Sequence, residues 1–515
     1  MSFVSPIYGL FILIVLGIYW SVRSASLSVL QTQSFQLCTI IIVSLFFYAT
    51  LQIQYLPLLI LITVINFALG KIIDDKETLG KQAQNPNISN QNWQQVLDSW
   101  QEQRRLFLLL GIAFNLLLLL GFKYIPFLLT TIASVFNFPV AENGANWVSD
   151  HLIAPLGISF FTFECIAYLF DVYRGAPASK KLLSFVAYKL FFPKAISGPI
   201  TRYHSFADQL KTLQFPSLDW IAEGLWLIAC GAIKKALIAD NLGRVVDVIW
   251  GAGNLERAGS GDLWLATFAY GFQLYLDFSG YVDIARGTTI LLGFNLPENF
   301  NFPYFTTSIA QFWRRWHITL GDWLRNYLYF PLGGSRQGLQ RTCLNLLIIM
   351  LVAGIWHGAA WGYVVWGALH GIGLVVHRLT EAISMRYDQA INWWDSWSGA
   401  IVAWLITQLM VFITWIFFRL PYLKQSGLVF AHLWGYQADS QFVQKVYREG
   451  IGLEAVQLAW LLILLAVFMA VVYGLHKGLK LQLNWHVKLL LVPVCLFTVW
   501  LLAPEGGLPY IYFDF

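Results

Sequence analysis

Long stretches without a formal charge constrain this chain more than anything else in it. Ala455–Leu475 and Gly399–Phe418 contain no Lys, Arg, Asp or Glu, Leu106–Phe122 is interrupted only by Asn115, and Thr39–Gly70 is uncharged throughout. Each is long enough to cross roughly 30 Å of hydrocarbon as a helix. Charged residues make up 12% of the chain and its mean hydropathy is +0.60. A water-soluble chain of 515 residues could not hide that much apolar surface, so the solvent is a lipid bilayer. Weaker runs near 5–22, 124–138, 152–170, 183–200, 221–238, 263–293, 344–377 and 486–503 bring the expectation to roughly ten to twelve spans. The fold class that follows is an all-α, polytopic membrane helix bundle.

The net charge of +5 does not call for nucleic acid. Arg104-Arg105, Lys180-Lys181, Lys234-Lys235 and Arg314-Arg315 stand at span ends, where anchoring and the positive-inside bias explain them. The first apolar run has no basic residues before it and no small-residue cleavage site, so it reads as a retained span. Cys38, Cys165, Cys230, Cys343 and Cys495 form no CxxC pair and no Cys/His ligand spacing; they read as free thiols, and no metal site is expected. Residues 71–105 read as a polar loop with a short amphipathic helix near Trp93–Trp100, and Asn87-Ile88-Ser89 is a weak glycosylation match. Pro421–Gly450 reads as a second loop. No internal repeat is apparent, which counts against an inverted-repeat transporter.

Two histidines stand out against this background. His317 lies in Trp313-Arg314-Arg315-Trp316-His317-Ile318-Thr319-Leu320, and His357 lies inside Thr342–His377, a run free of formal charge. An imidazole held in hydrocarbon costs free energy unless it pairs or works, and its ordinary pKa suits proton transfer near neutrality. Thr306-Thr307-Ser308 supplies an N-cap for a helix whose Phe312, Trp316, Leu320, Trp323 and Tyr327 form a largely aromatic stripe, with His317 at its edge and Pro331 and Gly333-Gly334 as its stop. The bland alternative for His317 is an interfacial histidine satisfied by backbone. Gly354, Gly358 and Gly362 give the His357 helix a small-residue face for close packing. On a continuous helix, His370 and His377 fall on roughly the opposite side from His357 and suit structural roles. Asp277 and Asp283 sit in an otherwise apolar run, and Arg286 is one helical turn from Asp283, so those two are expected to neutralise each other.

Several of these segments together resemble the membrane-bound O-acyltransferase (MBOAT) family, in its alginate O-acetyltransferase-like branch. The resemblance rests on Tyr275–Tyr281, Pro297–Tyr304, Phe312–Leu320 and Tyr327–Gly334. It continues through Trp356-His357-Gly358-Ala359 and Trp366–Gly371, with Gly157–Phe161, Asp171–Gly175 and Gly198–Tyr203 upstream. It covers nearly the whole chain as one transmembrane domain, 1–515, with a catalytic core region at 271–377. The resemblance implies a helix bundle around a tunnel joining the two membrane faces, with His357 as catalytic histidine and His317 as the second essential polar position. Related chains usually carry Asp where Asn326 stands, often Ser at Gly321, and commonly Gln at Glu164.

The implied chemistry is transfer of an acyl group, acetyl in this branch, from a cytosolic donor across a bacterial inner membrane to an extracytoplasmic polysaccharide. Such a transfer needs a base for the acceptor hydroxyl and stabilisation of a tetrahedral oxyanion, which fits a histidine pair. Acetyl-CoA is the expected donor, as a substrate rather than a bound cofactor. Arg314, Arg315, Arg325 and Trp316 are the expected donor-binding residues, the arginines meeting coenzyme phosphates. The C-terminal Pro509–Phe515 resembles an aromatic-tyrosine motif of cell-surface acylation systems. There Tyr512 would carry the acyl group to an extracytoplasmic serine-esterase-like partner; the alternative is an interfacial aromatic belt. Two further readings stay open: a D-alanyl-type transferase fed by an acyl carrier protein, and a transporter using paired histidines as a proton relay.

Overall fold

A computed structural model of the chain describes residues 3–22, 28–75, 90–387, 392–504 and 506–513. Asn87 lies outside the described residues. The described secondary structure is helical, without strands. The chain divides into two compact units, the first Met1–Ser217 with Thr288–Leu296, the second Leu218–Gly287 with Pro297–Asp514.

The first unit contains α1 (Pro6–Ser21), α2 (Val29–Gln52), α3 (Leu56–Ile73), α4 (Asn90–Leu119), α5 (Ile125–Phe136), α6 (Pro139–His151), α7 (Ile158–Tyr173), α8 (Leu182–Leu190) and α9 (Tyr203–Lys211). Small residues set its tightest crossings. A Cβ added at Gly70 would lie 2.4 Å from the Tyr168 hydroxyl, and one at Gly111 would lie 2.5 Å from Leu169 Cδ1. Asn66 and Asn115, both buried, exchange amide hydrogen bonds between α3 and α4, with Asn115 Nδ2 donating to Asn66 Oδ1 at 2.8 Å. Glu164 is held by two buried lysines, Lys194 at 2.6 Å and Lys189 at 3.1 Å. A carboxylate is sustainable there because both of its oxygens face ammonium groups.

The second unit contains α10 (Leu218–Ala232), α11 (Asp240–Ile249), α12 (Ser260–Leu291), α13 (Ile309–Arg315), α14 (Ile318–Leu324), α15 (Gly338–His357), α16 (Trp361–Ser384), α17 (Trp397–Arg419), α18 (Leu423–His432), α19 (Ala455–Tyr473) and α20 (Trp485–Leu502). Helices α10 and α12 meet glycine to glycine: a Cβ at Gly231 would lie 2.5 Å from the Gly280 carbonyl. Helices α15 and α16 form an antiparallel hairpin, in which a Cβ at Gly354 would lie 2.3 Å from the Tyr363 carbonyl and one at Gly367 would lie 2.4 Å from the Met350 carbonyl. Backbones this close leave no room for a side chain. On α19, Val456, Trp460, Leu464, Phe468 and Val471 are exposed, as expected for a surface facing lipid. This is a multi-pass membrane protein.

Among the described residues, six helical stretches are long and apolar enough to cross a bilayer, and two of them, Leu30–Ile73 and Asn92–Phe136, at 44 and 45 residues are long enough for two crossings each. Some apolar runs form helices too short to span, such as the nine-residue α8. Three expectations change. Residues 90–105, expected as loop with a short helix, are the first half of α4, whose 30 residues run from the polar segment into the Leu-rich one. Pro421–Gly450 is likewise mostly helical. It holds α18, then a turn at Ser440–Phe442 capped by Asp439, whose carboxylate accepts from the Gln441 amide at 2.8 Å and pairs with Arg257 at 2.8 Å. Finally, Asp283 pairs with Lys234, in the π-helical turn Ile233–Ala239 that follows α10, at 2.6 Å and Arg286 with Glu298 at 3.3 Å, so the two do not neutralise each other. The glycine contact of α10 and α12 brings Lys234 closer to Asp283 than its own helix turn brings Arg286.

Candidate active site

The backbone, before any side chain, sets the position of His317. Ser308 caps α13 as expected, its hydroxyl accepting from the Gln311 amide at 3.2 Å. The helix does not continue through the aromatic stripe. It ends at Arg315, His317 adopts a left-handed conformation (φ 43°, ψ 54°), and α14 starts at Ile318. A non-glycine residue in that region costs about 1–2 kcal/mol, so something must hold it there. The brace is the extended segment Pro297–Pro303. The Asn299 carbonyl accepts from the Ile318 amide at 3.0 Å, and Asn299 Oδ1 accepts from the Thr319 amide at 3.0 Å and its hydroxyl at 2.7 Å. On the other side of the break, the Arg315 carbonyl accepts from the Asn301 amide at 3.0 Å. The result is a fully buried His317, not an interfacial one.

His357 is also placed by a break. It is the last residue of α15, and Gly358 then runs extended (φ −171°) into the α16 turn. A Cβ at Gly358 would lie 2.1 Å from the Tyr363 ring, so the hairpin closes only because that position is bare. The three glycines therefore do not form one helix face as the sequence spacing suggested: Gly354 and Gly358 serve the hairpin, and Gly362, on α16, meets Phe417 and Pro421. Because the helix is interrupted, His370 lies on α16 behind Trp366 rather than on the far side of the His357 helix. The indole of Trp366 stands 5.1 Å from the His357 ring and 4.7 Å from the His370 ring. His370 is fully engaged: Trp313 Nε1 donates to its Nδ1 at 3.2 Å, and its Nε2 lies 2.9 Å from the Thr414 hydroxyl. With Nδ1 accepting, Nε2 carries the proton and donates to Thr414. His377 is half-buried further along α16.

The third group comes from the C-terminal segment. Tyr512 is 3% exposed, which is incompatible with an interfacial belt residue. Its ring lies 5.8 Å from His357 and 6.1 Å from His317, and the two imidazoles are 6.5 Å apart. Phe278 stacks against Tyr512 at 4.1 Å and meets His317 at 4.9 Å, while Trp356, Trp366 and Phe418 enclose His357 at 4.9–5.1 Å. Two imidazoles and a phenol from three remote segments thus share one buried aromatic enclosure. Such a setting strengthens any polar interaction made inside it.

The expected donor-binding residues are not part of that triangle. Arg314 and Arg325 are exposed, and Arg325 pairs with Asp322. Arg315 is half-buried, and its Nη1 is buried with no hydrogen-bond partner among the described residues. Trp316 is 1% exposed and packed among Phe300, Phe312 and Trp415 at 5.0–5.5 Å, so it is core rather than surface. Asn326 donates to the Asp322 carbonyl at 2.7 Å. The sequence reading gave no role to Asn299 and Thr319. The visible signal was a buried-type asparagine between two prolines in a rigid extended stretch.

Comparison with known proteins agrees with this helical membrane architecture. The chain belongs to the membrane-bound O-acyltransferase family, which residues 37–418 match. It is 36% identical to the probable alginate O-acetylase AlgI of Pseudomonas syringae pv. tomato, over 83% of this chain and 74% of that protein. It is 36% identical to the peptidoglycan O-acetyltransferase of Helicobacter pylori, over 75% of this chain and 71% of that one. The teichoic acid D-alanyltransferase of Streptococcus thermophilus is 30% identical over only 44% of this chain.

Proposed function

We propose that this protein is an O-acetyltransferase of the bacterial inner membrane that moves acetyl groups from cytosolic acetyl-CoA toward an extracytoplasmic polysaccharide, with Tyr512 as the first acceptor. The observation that carries this reading is the His317–His357–Tyr512 triangle, which places a phenol beside two imidazoles in a buried site. His357 takes the phenolic proton as the Tyr512 oxygen attacks the thioester carbonyl. His317 orients that carbonyl and stabilises the oxyanion of the tetrahedral intermediate. The intermediate collapses with cleavage of the C–S bond, and the coenzyme thiolate receives the proton from the His357 imidazolium. The product is an aryl ester, a more activated donor than a sugar ester because a phenol is the better leaving group. A serine-esterase-like partner takes the acetyl group and delivers it to the polymer. Arg314, Arg315 and Arg325 meet the coenzyme phosphates, with Arg315 the best placed because one of its buried nitrogens has no acceptor among the described residues.

Relatives named as acting on alginate and on peptidoglycan match far more of the chain than the teichoic acid D-alanyltransferase does, which favours acetyl over D-alanyl transfer. The test is Tyr512→Phe, which keeps the ring packing and removes the hydroxyl. Polymer acetylation is expected to stop while expression stays normal. Normal acetylation by the Phe variant would mean that the acetyl group reaches the partner without Tyr512.

A further inference from the structure

The C-terminal segment is held by charges that the transfer chemistry does not use. Lys235 Nζ, 1% exposed, bridges Asp277 at 2.5 Å and Asp240 at 2.8 Å. The same ammonium donates to the Pro509 carbonyl at 3.1 Å and lies 4.5 Å from the centroid of the Tyr510 ring. The second oxygen of Asp277 accepts from the Ile511 amide at 3.0 Å. Further back, a Cβ at Gly507 would lie 3.0 Å from Asp240 Oδ2, and a Cβ at Gly243 would lie 2.5 Å from Leu508 Cδ1, so the segment approaches α11 closely over both residues. Asp277 and Phe278 are neighbours on α12: one holds the backbone at Ile511, the other stacks on the Tyr512 ring.

We propose that Lys235, Asp240 and Asp277 form a docking seat for the segment Gly507–Phe513, with Asp277 and Lys235 as positioning residues that set Tyr512 against His357, and that the segment leaves this seat as a unit. Burying three charges is costly, and packing alone does not require them. Their arrangement makes sense for an element that comes and goes. Lys235 pairs directly with both carboxylates without involving the segment, so these ion pairs persist when the seat is empty. The segment itself contributes the Pro509 carbonyl, the Leu508 and Ile511 amides and an aromatic face. It follows Gly506, whose φ of +66° and open surroundings suit a hinge. An acyl carrier needs both properties: accurate placement at the base, then withdrawal of the loaded tyrosine toward a second acceptor. The part of the inference concerning acyl loading rests on the relay role proposed for Tyr512; the seat does not.

Hydrogen exchange read by mass spectrometry on the full-length protein in detergent or nanodiscs tests the seat directly. Two variants attack it from opposite sides. Lys235→Met/Asp240→Asn/Asp277→Leu replaces the charges with a near-isosteric neutral set, a type of change that buried ion networks often tolerate. Gly507→Val leaves the seat intact and drives a branched side chain into the Asp240 carboxylate. In both, exchange in the peptide spanning Ile511 should accelerate about ten- to a hundredfold, as expected for loss of a hydrogen bond to a charged acceptor, while exchange in α15 stays at the wild-type rate. The acetyl adduct on Tyr512 should fall in step. Wild-type protection of the C-terminal peptide in the two folded variants would overturn the seat. Accelerated exchange with undiminished polymer acetylation would support the seat and sink the relay reading instead.

Discussion

Replacing Asn299 with Ala removes one oxygen and tests whether the break at His317 is held from outside. Asn299 is 1% exposed, and its Oδ1 is the acceptor for both the amide and the hydroxyl of Thr319, itself 5% exposed. Asn299→Ala leaves two buried donors without that partner, each costing about 1–3 kcal/mol. The Ile318 bond to the Asn299 backbone survives, and the Thr319 hydroxyl can turn toward another acceptor. The expected loss of stability is therefore about 2–4 kcal/mol. The left-handed His317 would be the first residue to relax, since its conformation is the strained one. A shift of the imidazole by about 1 Å would cost on the order of a hundredfold in transfer rate. Thermal unfolding of the detergent-purified protein measures the first effect, and acetyl transfer per folded molecule measures the second. Thr319→Val removes only the hydroxyl donor and should cost about 1 kcal/mol. It should also be non-additive with Asn299→Ala, because the two changes share a bond. If Asn299→Ala is as stable and as active as the wild type, the extended segment does not hold the break and the account of His317 fails.

His370→Ala should lower stability, because the Trp313 indole and the Thr414 hydroxyl both lose a buried partner. Transfer per folded molecule should stay near wild type, unlike that of His357→Ala; equal loss of turnover in the two variants would make His370 part of the chemistry. Neutral substitution of Arg315 should raise the apparent KM for acetyl-CoA more than it lowers kcat, with smaller effects at Arg314 and Arg325. Unchanged donor affinity in all three would reduce them to interfacial anchors.

The helical membrane class was readable from uncharged runs, and both histidines from their setting, because burying charge or imidazole in hydrocarbon has a large, local cost. Features set by remote contacts were not readable. The aromatic spacing from Phe312 to Tyr327 continues across a two-residue break, and what makes the break is Asn299, a partner that no period displays. The run from Thr342 to His377 is too long for one span, yet its interior break at Gly358 carries no proline to mark it. Asp283 was matched to Arg286 by helical spacing, whereas two facing glycines, Gly231 and Gly280, bring Lys234 to it from another helix. The role of Tyr512 came from resemblance alone; its burial beside His357 is information only the fold contains.

The most direct test of the central claim is intact-mass and peptide analysis of the purified protein after incubation with acetyl-CoA in the absence of any acceptor partner. Wild type should carry one acetyl group, mapped to Tyr512. His357→Ala, folded and with its tail still protected from exchange, should carry none. Loading of Tyr512 in the His357→Ala protein at the wild-type rate would contradict the assignment of His357 as the base. Absence of any adduct in a wild-type protein that still acetylates polymer with its partner would contradict the relay.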